Sequence, residues 1–458
     1  MTHQHLIHRQ HQARRARAEL RLRARQLRAA AVGGAVALGA IAAPAPAATV
    51  TINTAVNGTQ FIGGGDDLVI TADGSISAPG LGNDGVREST RGASIGSISN
   101  AGSIEAGYDT DGAGIGVVEA TVEGDITNSG SIVAIEAISL ASATVNGNIA
   151  NSGSLEGEFY GISAWWSAIA GAIQNEAGGS IESIDAFGFS GIDLYLSSVS
   201  NGISNAGSIT GGFMDAIYIS SAEINGGITN TGSIQGGEDL DSGEVVYGGL
   251  GVYGSAVITG GITNSGSIQG DDEDGFAWTG SISISTPAQV TGGITNSGSL
   301  TGPLQIFGSD GAGGGIDVTN SGDIDLQSSQ SGISGDFTQT GTGTLAMTLM
   351  SFSDYTGVPL LVNGDLVLGG DLLLDLDPGF AFSALDRLTL IGAAGITGTF
   401  SNYADGDLVY AFNSRRRMYL DYTADGVDLY TTPIPGTPLL IGLGLFAWAG
   451  ARARRPCG

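Results

Sequence analysis

Gly260-Gly261-Ile262-Thr263-Asn264-Ser265-Gly266-Ser267-Ile268 is the stretch that decides the fold, because close variants of it return along two thirds of the chain. Its central asparagine falls at Asn100, Asn128, Asn151, Asn175, Asn205, Asn230, Asn264, Asn296 and Asn320, at intervals of 28, 23, 24, 30, 25, 34, 32 and 24 residues. A degenerate copy, Ile70 to Ile76, precedes the first by 28 residues. Self-similarity at such periods is the signature of a stacked repeat, in which each unit buries its apolar face only against its neighbours.

Counting from each asparagine exposes apolar columns. Two residues before it stand Ile98, Ile126, Ile149, Ile173, Ile203, Ile228, Ile262, Ile294 and Val318. Six before it the run Val122, Val145, Ile169, Val199, Ile224, Ile258, Val290 appears, and thirteen before it Ile115, Ile138, Ile162, Ile192 and Ile217, with Val252 displaced by one. Four after it come Ile104, Ile132, Leu155, Ile209, Ile234, Ile268, Leu300 and Ile324. Short β-branched runs punctuated by Asn and Gly read as strands separated by turns. One coil then carries about three short strands, and the fold class is all-β: a right-handed parallel β-solenoid (β-helix) of about ten coils, with right-handedness expected for parallel crossovers. At a strand spacing of ~4.8 Å the rod is about 48 Å long.

The recurring asparagines are expected to form a hydrogen-bonded amide ladder along the axis. The Asn-Ser-Gly corner is expected to need positive φ, which Asn and Gly tolerate. Length variation falls in one gap per coil, residues 105–114, 133–137, 156–161, 182–191, 210–216, 235–250 and 269–281. Insertions at one corner project along one edge, where repeat proteins often bind. The two longest gaps hold Glu238, Asp239, Asp241 and Glu244, then Asp271, Asp272, Glu273 and Asp274. Stacked carboxylates repel, and Ca²⁺, which takes six to eight oxygens, would relieve them. Glu238, Asp239, Asp241, Asp271, Asp272 and Asp274 are thus the calcium candidates, set against a solvated acidic edge that keeps the rod soluble. No other cofactor is expected. Tyr160, Trp165, Trp166, Phe187, Phe189, Phe213, Tyr247, Phe276 and Trp278 lie on the same edge or beside it, with Tyr195, Tyr218 and Tyr253 at nearly equivalent positions. Such rings either stack on sugars or pack over a thin core.

The ends differ in kind. Residues 1–28 hold eight arginines and all four histidines, followed by a weakly apolar run to Ala43 and then Ala45-Pro46-Ala47. A basic region, an apolar region and an A-x-A site read as a secretory signal peptide over 1–47, cut near Ala47. At the other end Thr432-Pro433-Ile434-Pro435-Gly436-Thr437 precedes an apolar run from Pro438 to Ala451, then Arg452, Arg454 and Arg455. A helix over that run is ~21 Å long, short of a ~30 Å hydrocarbon core. A removable sorting tail over 431–458 fits better, with membrane contact only through it. The layout Pro433-x-Pro435, apolar helix, Arg cluster resembles the PEP-CTERM sorting signals that exosortases read, with Ile434 in place of the usual Glu. The resemblance implies an export machinery and a sorting protease as partners.

Without both ends, and so without Glu19 and eleven arginines, the chain keeps 44 acidic residues and six arginines, a net charge of −38 with no Lys, His or Cys. Nucleic acid and anionic lipid are excluded as main partners, since both need a cationic surface. No positive side chain lies between Arg91 and Arg387, so a polysaccharide lyase lacks its base. A glycosidase needs only two carboxylates and stays as the alternative.

After Asn320 the pattern changes to Phe337-Thr338-Gln339-Thr340-Gly341, a Leu/Gly/Asp-rich stretch over 366–376, and Gly398-Thr399-Phe400. This order, with the Ile-Thr-Asn-Ser-Gly-Ser-Ile coils, resembles autotransporter passenger domains across residues 50–430. The resemblance implies solenoid coils over 48–332, a C-terminal β cap over 333–430 containing a Leu/Gly hairpin, and a place at the cell surface, outer membrane or matrix of a Gram-negative bacterium. An outer-membrane barrel like that of a true autotransporter is not expected, since only 28 residues follow Tyr430. The functional expectation is a non-enzymatic adhesin-like or structural protein that presents its acidic, aromatic edge to glycans or other cell-surface proteins. The alternatives are a carboxylate-based polysaccharide enzyme and a Ca-bridged self-assembling coat.

Overall fold

The computed structural model describes residues 47–433 apart from 81, 108–111, 185–187, 213, 238–246, 271–279, 329, 350–357, 377–379, 381–386 and 414–415. These residues form an all-β parallel solenoid of about eleven turns. Three sheets run along its axis. The first, which we call the amide sheet, has fourteen strands and carries one Ile-x-Asn strand per repeat, Ile98–Asn100 through Val318–Asn320. A second, wide sheet holds 27 strands in two side-by-side columns, and a third, of eight short strands from Ser94–Ile95 to Gln289–Thr291, closes the remaining side.

Register is set by the apolar columns. Ile126 pairs with Ile98 and Ile149, and Ile228 with Ile203 and Ile262, so identical side chains stack coil on coil. Every member of the four apolar columns named above is buried to within a few per cent of full burial. Each such side chain contributes roughly 1.5–3 kcal/mol of burial, which is how a chain with 78 glycines and no disulfide holds a continuous core.

The amide ladder is present. Asn100 Nδ2 donates to Asn128 Oδ1 at 2.7 Å, Asn128 to Asn151 at 2.8 Å, Asn151 to Asn175 at 2.9 Å and Asn175 to Asn205 at 2.8 Å. The series continues through Asn230, Asn264, Asn296 and Asn320 at 2.7–2.8 Å. Each amide also donates to a carbonyl in its own coil and one in the next: Asn230 Nδ2 reaches Gly232 O at 3.3 Å and Ser267 O at 3.0 Å. These side chains point inward and are buried.

Three expectations need correction. The glycines of Asn-Ser-Gly are not at positive φ; that conformation belongs to the glycine before the Ile, Gly202, Gly227, Gly261 and Gly293, at φ 70–79°. The corner glycine is demanded by closeness instead. A Cβ on Gly266 would overlap the carbonyl oxygen of Gly232, and one on Gly298 that of Gly266, because consecutive coils turn with their backbones in contact.

Second, the frame is not fixed outside the gap. Asn175 is followed by two extra residues, so Ile181, six beyond it, pairs with Leu155. Between the wide sheet and the third sheet later coils gain one residue, which makes Leu250 the partner of Ile217 and Val252 that of Ile219. Nor is the gap a corner. In the two coils with the shortest gaps it is continuous strand, Ser131–Ala141 and Ser154–Trp165, broken only by a bulge opposite Glu136. The insertions therefore rise from the middle of the wide sheet.

Third, the residues after Asn320 continue the parallel stack. Phe337–Gln339, Asp365–Leu368 and Gly395–Gly398 extend the amide sheet, while Asp371–Leu376 pairs in parallel with Thr344–Leu349. The Leu/Gly stretch is thus two sheets of one coil and not a hairpin. Antiparallel pairing begins only with Arg387–Gly392 against Gly426–Pro433, joined by Leu408–Asn413 and Arg416–Tyr422. Those strands cover the end of the rod, where Arg387 holds Asp428 and Asp421 through Nε and Nη2, each at 2.6 Å.

Candidate functional site

The outer face of the wide sheet carries a row of buried carboxylates that has no counterpart elsewhere on the described solenoid. Along the strand that contains Ile192, apolar side chains point inward and alternate with outward ones. The outward column one residue on reads Arg87, Gly116, Ser139, Ser163, Asp193, Tyr218, Gly251 and Ser283. Three residues earlier in each strand a second column contains Glu136, Tyr160 and Ser190; Asp84 and Asp215 stand at the equivalent step before Val86 and Ile217. Although these columns face away from the core, Asp84, Glu136, Ser163, Asp193 and Asp215 are all buried.

Small residues in the following coil make room for Asp84, Glu136 and Asp215, whereas Asp193 faces Tyr218. Asp84 leans over Gly116, and its Oδ1 accepts the Ala113 N–H at 2.8 Å while Arg87 Nη1 lies 3.3 Å from Oδ2. Glu136 Oε2 accepts from Ser163 Oγ at 2.8 Å. Asp215 sits against Gly248 and Gly251, where any Cβ would strike its carboxylate, and accepts from Tyr253 Oη at 2.8 Å. Burial pushes Asp84 up to about 6, against the opposing pull of the Ala113 N–H and Arg87. Burial again, reinforced by the charge of Glu136, takes Asp193 to about 7. Asp215 rises to about 7 by burial, offset in part by the Tyr253 hydroxyl. Tyr253 in turn is held well above its ordinary value by burial and by Asp215. Trp165 stands beside Asp193 and favours its ionised form, yet neither Trp165 Nε1 nor Asp193 Oδ1 has a partner at hydrogen-bond geometry among the described residues.

Aromatic rings wall this row. Tyr160 stacks on Phe189 at 5.3 Å, meets Trp165 edge-on at 6.3 Å, and Phe159 meets Phe189 edge-on at 5.7 Å. Tyr218 and Tyr253 lie 5.1 Å apart. Register separates the three tyrosines: Trp165, Tyr195 and Tyr253 share a column through Ser220, while Tyr218 stands two residues earlier, beside Asp193.

Beyond that column the chain turns a tight corner. Glu119, Ser142, Trp166, Leu196 and Ser221 stack there in left-handed backbone, φ 50–52°. Their N–H groups are tied to the next coil, Trp166 to Tyr195 O and Leu196 to Ser220 O, both at 3.0 Å. Left-handed φ is uncommon for any non-glycine residue and an outlier for bulky ones. Trp166 and Leu196 are nonetheless 44% and 42% exposed, and Trp166 meets Tyr195 edge-on at 5.6 Å.

The sequence-predicted calcium candidates Glu238, Asp239, Asp241, Asp271, Asp272 and Asp274 lie outside the described residues, as do Phe187, Phe213, Phe276, Trp278, Pro435, Arg452, Arg454 and Arg455. Among the described residues no group of three His, Cys, Asp or Glu is placed to hold a metal. The buried acids were missed because they sit singly, at the strand starts and between core residues. Their signal was register: an acid two residues before, or one after, the Ile of the −13 column. No family model, curated protein or solved structure matches the chain.

Proposed function

We propose that this is an exported, non-enzymatic protein of the cell surface or matrix, of adhesin type, which contacts glycans through the corner formed by Trp166, Tyr195 and Leu196. The observation that carries the reading is the exposure of Trp166 and Leu196 in left-handed backbone on adjacent coils. Bulky residues held in that conformation cost of order 1–3 kcal/mol each, a cost usually met at sites with a use. A tryptophan face on a rigid rod suits the apolar face of a sugar ring and loses little entropy on binding. The strongly acidic remainder favours uncharged or cation-bridged glycans over anionic ones. The basic leader and the Pro433–Pro435 tail support export and sorting at the surface of a Gram-negative cell.

A glycan-array screen of residues 48–433 tests the reading. Binding that falls at least tenfold in Trp166→Ala, with the fold intact by circular dichroism, supports it; binding unaffected by that change, or none at all, overturns it.

One observation favours the enzyme alternative. Asp193, pushed up by burial, lies within electrostatic reach of Glu136, and a pair of carboxyls is what a glycosidase uses. Burial of both speaks against substrate access. Release of reducing ends from a polysaccharide panel, abolished by Asp193→Asn, would establish it.

A further inference from the structure

The first strand of the amide sheet, Thr49–Ile52, begins two residues after the Ala45-Pro46-Ala47 site, and the residue between is fastened on both sides. Ala48 N donates to Asp66 Oδ1 at 2.7 Å, and Ala48 O accepts from Asp67 N at 2.8 Å. The two neighbouring acids have separate partners. Asp67 Oδ1 takes the Ser97 N–H and hydroxyl at 2.6 and 2.8 Å, bonds that hold it below the usual carboxylate range. Asp66 is the one that faces the start of the chain, and Ala47 and Ala48 are exposed.

We propose that Ala48 is the first residue of the mature protein and that Asp66 is the counter-ion of its α-ammonium group, so that removal of the leader staples the first coil. The inference rests on the export reading above. Hydrolysis of the Ala47–Ala48 bond by a leader-cleaving peptidase consumes one water, leaves a carboxylate on Ala47 and an amine on Ala48. That amine takes a proton at neutral pH. The single N–H···O bond seen in the uncut chain becomes a charge-assisted one at the same atom. The first strand needs such a tie, since among the described residues Thr49–Ile52 pairs only with Asp67–Ile70 and has no strand on its other side.

The full-length chain, expressed in an exporting Gram-negative host, gives the test. Terminal sequencing of the exported product by mass spectrometry is expected to read Ala48-Thr49-Val50. The pH profile of α-amine acylation is then expected to place that group above its ordinary value of about 7.7–8.0. Asp66→Asn should lower the midpoint and speed acylation near pH 8 severalfold, while Asp73→Asn, an exposed acid on the same coil, should leave both unchanged. A product that starts elsewhere, or an Asp66→Asn profile equal to wild type, overturns the staple and leaves export standing. A product retained inside the cell with residues 1–47 still attached overturns both.

Discussion

Asn320 Nδ2 donates to Gln339 Oε1 at 2.8 Å, so the amide ladder passes from the last repeat into the cap without a break. Gln339 occupies the asparagine's register position, paired with Asn320 in the amide sheet. The coil that joins them is short, at 19 residues. The ladder therefore runs from Asn100 to Gln339, and each asparagine between those ends is bonded to an amide on either side.

Cutting one rung exposes what it carries. Asn230→Ala removes the acceptor for Asn205 and the donor to Asn264, Gly232 and Ser267, in a buried site. Leaving one or two buried polar groups unsatisfied costs ~1–3 kcal/mol each, so a loss of about 3 kcal/mol is expected. Urea denaturation of residues 48–433 measures it. Hydrogen exchange should show the loss centred on the coils of Asn205, Asn230 and Asn264, as expected where neighbours supply most of a repeat's stability.

The corner glycines separate two explanations that look alike in sequence. Gly266 is not in left-handed backbone, but an added Cβ would overlap the Gly232 carbonyl. Gly266→Ala should therefore cost at least ~3 kcal/mol, since backbone, not a flexible side chain, must move. Ser265→Ala beside it should stay within about 0.5 kcal/mol. Equal effects in thermal melts would show that contact is not the reason for glycine.

The coil count, the core columns and the ladder were legible because each depends on one residue type recurring at one register. Ile126 and Asn128 announce their place without knowledge of any other coil. Glu136, Asp193 and Asp215 were not legible, since their surroundings come from neighbouring coils: Ser163 beside Glu136, Tyr218 beside Asp193, and Gly248, Gly251 and Tyr253 against Asp215. The cap's parallel coils were obscured for a related reason. Gln339 replaces Asn, and Leu366 and Phe337 replace Ile, so packing is conserved in kind while the motif is lost.

The buried acids make stability fall as pH rises. Asp193 and Asp215, near 7, and Asp84, near 6, stand above the ordinary unfolded value of about 3.9. Between those limits the folded state binds more protons, so these groups cost nothing below about pH 4 and their full penalty is felt above about pH 7. The combined cost is on the order of several kcal/mol. Melting temperature should drop between pH 5 and pH 8, and Asp193→Asn should flatten the drop. A profile unchanged by that variant would assign the pH dependence to general repulsion among the surface acids.

Leu196 offers the sharpest separation of stability from use. Its φ of 50° is ordinary for glycine and unfavourable for leucine. With the side chain 42% exposed, its removal forfeits only part of a leucine's full burial. Leu196→Gly should therefore be neutral or stabilising, by up to about 1 kcal/mol, the left-handed strain of roughly 1–2 kcal/mol being offset by the freedom glycine gains when unfolded. Were leucine there only for packing, the variant would destabilise, and differential scanning calorimetry decides between the two. If the corner is a contact surface, glycan binding should weaken in the variant that melts no earlier than wild type. Trp166→Gly should follow the same pattern with a larger loss of binding, because the indole also supports the edge-on Tyr195 ring. A rod that gains stability while it loses its ligand is the outcome that a strained, exposed corner predicts.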